Sequence, residues 1–582
     1  MSVRVLVVAL SCALSACAVL PDAAGDRRAV VAIGAVQGVD ASSPLLGTAV
    51  AVEGVVTQRL HGDSAQAGGV FVQDAGDGND ATSDALFVQG VGVDALTVGM
   101  AARVMGRVVE VDTGREAQLT ALDVTSVEAL GQRVLPAARP LTGWPAERES
   151  LEGMRVSMAA LHLDAQSDFE RTGTLLASLG DAPWQVTELQ RPGSAAARAL
   201  DVAQQARQVR LDDGRLGLPD PSGGAVRVLA SARSGSTLKG VIGVVDHRNG
   251  SYAVQGDSIA RIDAAPRPDA PRASGGLRIA ALNVENLFNG DGAGGGFPTE
   301  RGARTQAEFD VQLSKQVATI AGLDADVVAL MELENDGHGP ASAEGQLVKA
   351  LNAAGSRWRG VEHAGRLGGD AIRVGLIYRT DRVRTVGRAA TLTGGPFDRR
   401  SRVPLAQAFS ARAGGPSFVV VANHFKSKGC GNADGLDVDQ RDGQSCFNAT
   451  RLDSAQRLHQ WIATDPTASG ATRTALLGDF NAHAQEDPIH WLRQAGWRDA
   501  FEVAAVQAPY SYVFNGLRGR LDHALLSADF ARDLRGAAEW HVNADEPVSQ
   551  GYRAYPQGAG TPWRGSDHDP LVLGFDLPAR TR

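Results

Sequence analysis

The sequence has no excess of positive charge and few aromatic residues. Its 57 Lys and Arg residues are outnumbered by 66 Asp and Glu residues, which gives a net charge of −9 at pH 7. This balance excludes a general attraction to nucleic acid or acidic membranes, so a polyanion would have to meet a local patch or a metal ion. Aromatic residues make up only 5% whereas there are 68 Gly, which is typical of many short strands joined by turns. The 43% hydrophobic and 21% charged fractions exclude a disordered or fibrous chain.

Long hydrophobic runs are missing after the first twenty residues, MSVRVLVVALSCALSACAVL. There, one Arg precedes an apolar run that is too short to span a bilayer, which takes about 20 residues, and the pattern is typical of a signal peptide. Residues 14–17, LSAC, resemble the bacterial lipobox, and ordinary cleavage after the small residues 16–18 is the alternative. We therefore predict a signal peptide over residues 1–17 with lipidation at Cys17. The exported protein would be anchored at the bacterial outer membrane or cell surface, or else be periplasmic or secreted.

Cysteine is scarce in the rest of the chain. Cys12 and Cys17 belong to the signal, which leaves Cys430 and Cys446. An even pair in an oxidising compartment predicts a disulfide bond, which would stabilise the fold by about 3 kcal/mol. A metal site is the weaker alternative because no CxxC or second Cys/His pair with zinc spacing lies nearby.

The character of the chain changes at residues 264–276, a stretch rich in Pro, Ala and Gly that predicts a linker. Before it, short alternating runs bounded by Gly or Asp, such as TAVAVEGVVTQ and ARVMGRVVEV, predict an all-β region. We assign an OB-like β domain to residues 30–130 and a second β domain to residues 135–263. A faint echo between residues 52–74 and 238–257 suggests an internal repeat.

Residues 277–578 alternate strands with helices. LRIAALNV, DADVVALME and RTALLGDFN are typical of buried strands. Thr305 and Glu308 form a capping-box pattern before an apolar run with helical spacing, and further helices are predicted near residues 342–354 and 447–463. The pattern predicts an α/β or α+β domain.

Six short segments in this domain share one pattern, in which an apolar strand runs into residues able to bind metal or phosphate. They are ALNVEN, ALMELEN, ANHFKSK, LLGDFNA, RLDHALL and GSDHDP. Because strand ends at one edge of a sandwich meet in one cleft, we expect these side chains to converge. The candidate residues are Asn283, Glu285, Glu332, His424, Lys426, Lys428, Asp479, Asn481, Asp522, Asp567 and His568.

The composition of these segments indicates a type of chemistry. Carboxylate and amide oxygens without Cys ligands suit Mg²⁺, with Mn²⁺ or Ca²⁺ as alternatives. Two His residues suit acid–base catalysis or neutralisation of the charge that develops on a phosphorane. In a chain without a P-loop or a GxSxG elbow, this set predicts metal-assisted attack of water on a phosphodiester.

The segments LNVENLF, DADVVALMELEN, NHFKSKG, GDFNA and SDHDP, in this order, resemble the endonuclease/exonuclease/phosphatase superfamily. Within it, the likeness is to bacterial extracellular nucleases that place OB-like domains before the catalytic domain, and it covers about residues 30–578. The resemblance implies an α+β catalytic domain built as a deoxyribonuclease-like four-layer sandwich, with two packed β-sheets flanked by helices. It also implies a set of metal ligands, namely Asn283, Glu285, Glu332 and Asp567.

The resemblance further implies a role for each catalytic residue. Asp479 would bind metal or orient the attacking water, and Asn481 would hold the scissile phosphate. Asp522 would pair with His568, which would act as the base or stabilise the phosphorane. His424 would donate to a non-bridging oxygen or assist the leaving group.

Basic residues near these motifs are candidates for phosphate binding. Residues 373–404 hold eight Arg against two Asp, and on one wall of a cleft such residues would give salt-dependent affinity for a polyanion. A solvated surface loop is the alternative. The candidates are Arg399, Arg400, Arg402, Lys426 and Lys428. Two acidic segments, residues 74–84 and 432–442, could bind Ca²⁺, although solvated turns explain them more simply.

The leading hypothesis is an exported, metal-dependent nuclease that hydrolyses DNA, with RNA as a further substrate to be tested. One alternative is a phosphodiesterase or phosphatase that acts on a smaller ester, such as a nucleotide or a lipid headgroup. The other is a surface binding protein with an inactive catalytic domain. The sequence predicts membrane contact only through the lipid anchor, and we infer no protein partner from it.

Overall fold

A computed structural model describes residues 29–578 except 63–67, 115–116, 167–168, 216–224, 249 and 364–366. The predicted signal peptide and its lipidation site, Cys17, lie outside the described residues. In the described part of the chain, no helix combines the length and the apolar character needed to cross a membrane.

The secondary structure changes in character at residues 264–276, which form neither helix nor strand. Before them the elements are, in chain order, α1 (Ile33–Gln37), β1 (Ala49–Leu60), β2 (Gly69–Gln73), β3 (Ala85–Gly90), β4 (Met100–Gly114), β5 (Ala117–Gln132), β6 (Arg139–Pro140), β7 (Arg155–Ala165), α2 (Phe169–Thr172), β8 (Thr174–Ser178), α3 (Val186–Leu189), α4 (Ala195–Gln205), β9 (Gln208–Asp212), β10 (Thr237–Arg248) and β11 (Ser251–Asp263). After them come β12 (Leu277–Leu287), α5 (Gln306–Leu323), β13 (Val327–Glu334), α6 (Ala343–Ala353), β14 (Trp358–Gly360), β15 (Ile372–Arg379), β16 (Val383–Thr391), α7 (Pro396–Arg399), β17 (Leu405–Ala411), β18 (Phe418–His424), α8 (Asn448–Ile462), β19 (Arg473–Asp479), α9 (Asp487–Gln494), β20 (Arg498–Asp499), α10 (Ala500–Val503), β21 (Tyr512–Phe514), β22 (Leu517–Gly519), β23 (Asp522–Leu526), α11 (Ala528–Asp533), β24 (Leu534–Glu539) and β25 (Leu571–Phe575).

The first β domain is a closed barrel with the strand order β1-β2-β3-β5-β4. β3 and β5 are parallel neighbours, whereas the other neighbouring pairs are antiparallel. Aliphatic side chains such as Val52, Leu86 and Val104 fill the interior, as expected for the alternating apolar runs of the sequence. The OB-like class of this barrel stays a prediction.

The second β domain repeats this strand order. β7, β8, β9, β11 and β10 are neighbours in turn, β9 and β11 are parallel, and β10 also pairs with β7 to close the sheet. In this order β1 and β2 correspond to β7 and β8, whereas the echo in the sequence related β1 and β2 to β10 and β11. The echo therefore does not mark the repeat, because it reflects the common alternation of buried strands rather than equivalent positions.

Residues 277–578 are built from two six-stranded sheets. Their strand orders are β14-β15-β13-β12-β25-β24 and β16-β17-β18-β19-β23-β20. Apolar residues of both sheets, among them Ile279, Val374, Val420 and Leu477, form one shared core. α5 and α6 cover the outer face of the first sheet, and α8 and α9 cover that of the second. The predicted α+β sandwich of two packed sheets flanked by helices is confirmed.

The helix predicted after Thr305 begins as the capping pattern indicates. The Thr305 side chain accepts a hydrogen bond from the Glu308 amide at 3.2 Å. Glu308 completes the cap one residue earlier than the standard box, because its carboxylate accepts from the Arg304 amide at 2.7 Å. The cap fixes the start of α5, which packs against β12.

The second β domain is bonded to the loops that carry the polar motifs of residues 277–578. Glu188, at the end of α3, is buried and accepts hydrogen bonds from Arg520 Nε at 2.9 Å and from the Ala484 amide at 3.1 Å. Thr187 Oγ1 donates to Glu486 Oε1 at 2.8 Å. These contacts hold the chain on both sides of the β19–β23 pair, where the functional residues lie.

Candidate active site

The polar motifs meet at one edge of the sandwich, but not all of them follow a strand. His424 and Asp479 are the last residues of the parallel neighbours β18 and β19. Asp522 is instead the first residue of β23, and Asp567 and His568 precede β25. The prediction of six C-terminal strand ends is wrong for these two motifs, because β23 and β25 run antiparallel to their neighbours and begin where those strands end.

The backbone is strained at three of the predicted positions. Glu285, Glu332 and Asn481 have φ values of 52°, 65° and 48°, in the left-handed region that non-glycine residues rarely adopt. In β12 and β13 the strand pairing also shifts register at these points. Irregularities of this kind occur beside active sites, where they redirect a side chain.

Asp479 lies at the centre of the cluster. Its Oδ2 atom is 3.5 Å from His424 Nε2 and 4.0 Å from His568 Nε2. Asn283 Nδ2 donates to the same oxygen at 3.4 Å and to Glu332 Oε1 at 3.2 Å. The structure thus brings five of the predicted residues together, with Asn283 placed as a hydrogen-bond donor that orients two carboxylates.

His568 is paired with Asp522, as the resemblance implies. Its Nδ1 lies 2.7 Å from Asp522 Oδ2, which also accepts from Ser511 Oγ at 2.8 Å, and its ring contacts that of Tyr512 with centroids 4.6 Å apart. Burial acts to lower the pKa of His568, but the charges of Asp522 and Asp567 outweigh it and hold the pKa well above its usual value. The imidazolium form therefore prevails at neutral pH.

His424 is equally buried but has the opposite surroundings. Arg402 Nη1 donates to His424 Nε2 at 3.2 Å, and Arg402 Nε donates to Asp370 Oδ2 at 3.1 Å. Burial, together with positive charges that include Arg402 and Lys426, holds the pKa of His424 well below its usual value. His424 is therefore a neutral acceptor for the guanidinium at neutral pH.

The carboxylates of the cluster repel one another, with Asp479 buried and Glu285, Glu332 and Asp567 half-buried. Burial raises the pKa of Glu285 to about 8, with a further contribution from the charge of Asp567. The same two causes raise the pKa of Glu332, and burial raises that of Asp479 to about 7. A cation would relieve this repulsion, and the oxygen donors fit a hard divalent ion.

The charges indicate where such an ion would bind. Ligand atoms of Glu332, His424 and Asp479 all lie within 4.8 Å of one another. Arg402 already donates to His424, however, and would repel a second cation there. The charge of Arg402 therefore disfavours His424 as a ligand. The set of Asn283, Glu285, Glu332 and Asp567 stays a prediction, because no such close group of ligand atoms among the described residues includes Glu285 or Asp567.

A basic wall adjoins the cluster. A cavity of about 420 Å³ is lined by Arg301, Asp370, Arg399, Arg400 and Arg402, among others. Arg399 is exposed, and Arg301 forms an ion pair of 3.3 Å with Asp370. Arg399 is therefore accessible to a phosphate, whereas Arg402 is only 10% exposed and pairs with Asp370 as Arg301 does.

The two lysines of the NHFKSK motif have different surroundings. Lys426 is half-buried with its Nζ 4.6 Å from the centroid of the Phe447 ring, beside the basic wall. Lys428 Nζ donates to buried Glu486 at 2.6 Å, and burial lowers its pKa to about 8. The predicted phosphate-binding role of Lys428 is not supported by this position, because its charge is used to neutralise Glu486.

Asn481 lies at the same edge of the sheet. Its Nδ2 donates to the Phe425 carbonyl at 3.2 Å, and its backbone amide donates to Asp479 Oδ1 at 2.8 Å. Its amide group is thereby fixed beside the central carboxylate, although no interaction of this structure tests its predicted role as a phosphate ligand.

The predicted disulfide bond joins Cys430 and Cys446. Within the loop that it closes, Asp437 accepts hydrogen bonds from the Thr450 amide at 2.9 Å and from Thr450 Oγ1 at 2.6 Å. This acidic residue is thus used to hold the start of α8, in agreement with a structural turn. The acidic segment 74–84 is similarly bonded, since Asp74 Oδ2 accepts from the Ile33 amide at 2.9 Å.

Sequence reasoning missed several of the described residues around the two histidines. Among them are Arg301, Asp370, Ser511 and Tyr512. None of them lies in a motif, and their side chains reach the site from loops and from the short strand β21. The Arg-rich segment was the only signal that this wall of the cleft would be basic.

Comparisons with known proteins bear on the catalytic domain. Residues 282–568 match the model of the Endonuclease/Exonuclease/phosphatase family, whereas no curated protein matches the chain. Similar solved structures include an endonuclease/exonuclease/phosphatase from Bacteroides vulgatus, at 14% identity over 52% of this chain and 99% of that one, with a TM-score of 0.34. Humanized D. rerio TDP2 is 16% identical over 51% and 97% (TM-score 0.33), and the human Nocturnin catalytic domain is 16% identical over 52% and 93% (TM-score 0.33). The catalytic domain of this chain belongs to the endonuclease/exonuclease/phosphatase family.

Proposed function

We propose that the protein is an exported, metal-dependent nuclease that hydrolyses phosphodiester bonds of DNA. The observation that carries this proposal is the position of Asp479 between a charged and a neutral histidine, beside half-buried carboxylates that a cation would neutralise. A single edge of the sandwich thus offers a base, a positive charge and a metal-binding group, which are the parts needed for hydrolysis of a phosphate ester.

The residues of this chain have separate roles in the proposed reaction. Asp479, whose pKa burial raises to about 7, is suited to orient and deprotonate a water molecule near neutral pH. The His568 imidazolium would stabilise the negative charge that develops on the phosphate, and Asp522 keeps it charged and oriented. His424 would hold the Arg402 guanidinium towards the cleft.

A divalent ion bound by Glu285, Glu332 and Asp567 would act as a Lewis acid on a phosphate oxygen. The residues fit such an ion because its charge would offset the burial and mutual repulsion that raise the pKa of both glutamates. We propose Mg²⁺ because the donors are hard oxygens, with Mn²⁺ and Ca²⁺ as ions to compare.

A nucleic acid is favoured over a small ester by the extent of the basic wall. Arg402 donates a hydrogen bond to His424. The Arg400 guanidinium carbon lies farther along the wall, 5.0 Å from the centroid of the Phe447 ring, and Arg399 is exposed. These groups reach beyond a single reacting phosphate and are suited to the neighbouring phosphates of a strand.

Plasmid cleavage tests the proposal. Purified protein should nick or degrade plasmid DNA with Mg²⁺, and both EDTA and the Glu332→Gln variant should abolish this activity. His490→Ala, which changes a histidine of α9 outside the cluster, should leave the rate unchanged. Activity that persists in EDTA would contradict the metal mechanism. Release of phosphate from a nucleotide or lipid headgroup without turnover of DNA or RNA would favour the smaller-ester alternative, and no turnover of any of them would favour a binding protein.

We also propose that Cys17 is acylated and anchors the protein at the bacterial surface. The lipobox-like sequence LSAC supports this proposal. A palmitate analogue should label the protein in cells, Cys17→Ala should abolish labelling, and Cys12→Ala should not. Labelling that persists in Cys17→Ala would contradict the proposed site.

A further inference from the structure

A second group of metal-ligating side chains lies outside the catalytic domain. Glu149 and Glu152 belong to the short turn before β7, and His247 lies near the end of β10. One carboxylate oxygen of each glutamate and one ring nitrogen of the histidine all lie within 4.8 Å of one another. The three residues come from the second β domain, at its contact with the barrel.

Two buried polar atoms of this group have no hydrogen-bond partner among the described residues. Glu152 is fully buried, and its Oε1 accepts from the Thr120 amide at 3.1 Å and from Gln37 Nε2 at 3.3 Å. Its Oε2 atom and the Nδ1 atom of His247 remain unpartnered. Such atoms are costly to bury, so they point to a missing ligand.

The charges around Glu152 also call for a cation. After burial, the largest influence that raises its pKa is the negative charge of Glu149, and Glu110 adds to it. Arg148, the adjacent basic residue in the chain, lies instead over the ring of Trp144, 5.0 Å from its centroid. The group therefore needs either a bound proton or a metal ion.

One tyrosine orients two of the three side chains. Tyr252 OH donates to Glu149 Oε2 at 2.7 Å. The Tyr252 ring stacks on His247 with centroids 4.1 Å apart and planes at 1°. Contacts of this kind hold metal ligands in place in known sites.

We propose that Glu149, Glu152 and His247 bind one divalent transition metal ion of the zinc type, with solvent completing its coordination. Two carboxylates and an imidazole suit zinc better than Mg²⁺. Donors bound at about 2.0–2.2 Å in a tetrahedral site lie roughly 3.5 Å apart, so the three ligand atoms would move closer together when the ion binds. Glu149 and His247 are partly exposed, which gives the ion access from solvent.

The site would also strengthen the contact between the two β domains. Glu152 accepts hydrogen bonds from Thr120 on β5 and from Gln37 on α1, both in the barrel. The His247 carbonyl accepts from Thr113 Oγ1 on β4 at 3.0 Å. An ion held by Glu152 and His247 would thus fix two residues that each bond to the barrel.

Zinc content of the full-length protein tests the proposal. Protein is dialysed against Zn²⁺ with excess Mg²⁺ to occupy the catalytic cluster, and bound zinc is then measured by mass spectrometry. Glu152→Gln and His247→Gln should each bind one zinc equivalent fewer than wild type. Glu147→Gln, which changes an exposed residue just before the turn, should bind as wild type does.

Thermal unfolding provides a second readout. Zn²⁺ should raise the Tm of wild type and of Glu147→Gln, but not that of Glu152→Gln. The glutamine retains the hydrogen bonds of Oε1, so in EDTA this variant should unfold no earlier than wild type, which separates loss of metal from loss of fold. Equal zinc content and equal Tm shifts in wild type and both site variants would overturn the proposal and indicate a buried proton on Glu152.

Discussion

The two sides of the catalytic cleft differ in charge although they are equally buried. His424 is 2% exposed and His568 is 5% exposed, and both lie near Asp479 Oδ2. Asp522 and Asp567 hold the pKa of His568 well above its usual value, whereas burial and the charge of Arg402 hold that of His424 well below it. Burial alone would make the two residues alike, so their neighbours decide which one carries a proton.

The largest effect on kcat is expected when the charged histidine, His568, is removed. His568→Ala should lower kcat for DNA cleavage by about 10³-fold, because the variant loses the cation that faces the developing phosphate charge. Plasmid cleavage at saturating DNA measures the change, with His490→Ala as the control. A loss of less than about tenfold would show that His568 does not take part in the reaction.

Making the two histidines alike should have the next largest effect. Asp522→Asn removes the anion that stabilises the His568 imidazolium, so the pKa of His568 should fall and kcat should drop by about 10²-fold. Because Asp522 stabilises the protonated form of His568, the variant should lose this proton at a lower pH. The alkaline limb of the pH–rate profile should therefore move to lower pH. An unchanged alkaline limb would contradict the assignment of that limb to His568.

The neutral histidine, His424, should respond to loss of the Arg402 guanidinium. Arg402→Met removes the guanidinium that donates to His424, so the pKa of His424 should rise towards its usual value. We expect kcat to fall by about tenfold because one positive charge facing the phosphate is lost. Arg399→Met, in the same basic wall but not on His424, should leave kcat unchanged, and equal kcat losses in both variants would contradict the separate role of Arg402.

The smallest effect is expected for the outer part of the basic wall. Arg399→Gln should raise KM a few-fold and lessen the salt dependence of DNA binding by about one unit of slope, without changing kcat.

Lys428→Met should leave the salt dependence unchanged. It should instead lower the free energy of unfolding by about 3–5 kcal/mol, because Glu486 would remain buried without its positively charged partner. Measurements of DNA affinity against salt and of urea unfolding separate the two outcomes, and the reverse pattern would show that Lys428 is the phosphate ligand.

The sequence predicted which residues form the site better than it predicted the direction of the strands that carry them. Asp479 and His424 end strands as expected, since a buried apolar run followed by polar residues is a local pattern. The placement of Asp522 and His568 depends on strands that run antiparallel to their neighbours, which is a property of the sheet and not of the segment. The residue types were therefore enough to predict the cluster. The directions of the strands became known only from the fold.

Partners distant in sequence account for the remaining differences. Lys428 resembles a phosphate ligand in its motif, but in the fold its ammonium group meets Glu486. Tyr512 lies in a short strand that no motif marks, yet its ring contacts His568. The repeat of the two β domains was likewise hidden, because strand order can recur without similar sequence.

The protonation states of the two histidines test the central claim most directly. NMR spectra of protein labelled with ¹³C at the histidine rings, recorded at pH 7, would be assigned with the variants His424→Gln and His568→Gln. The account predicts a protonated His568 and a neutral His424 in the same sample. A neutral His568 together with a protonated His424, or two histidines in the same state, would contradict it.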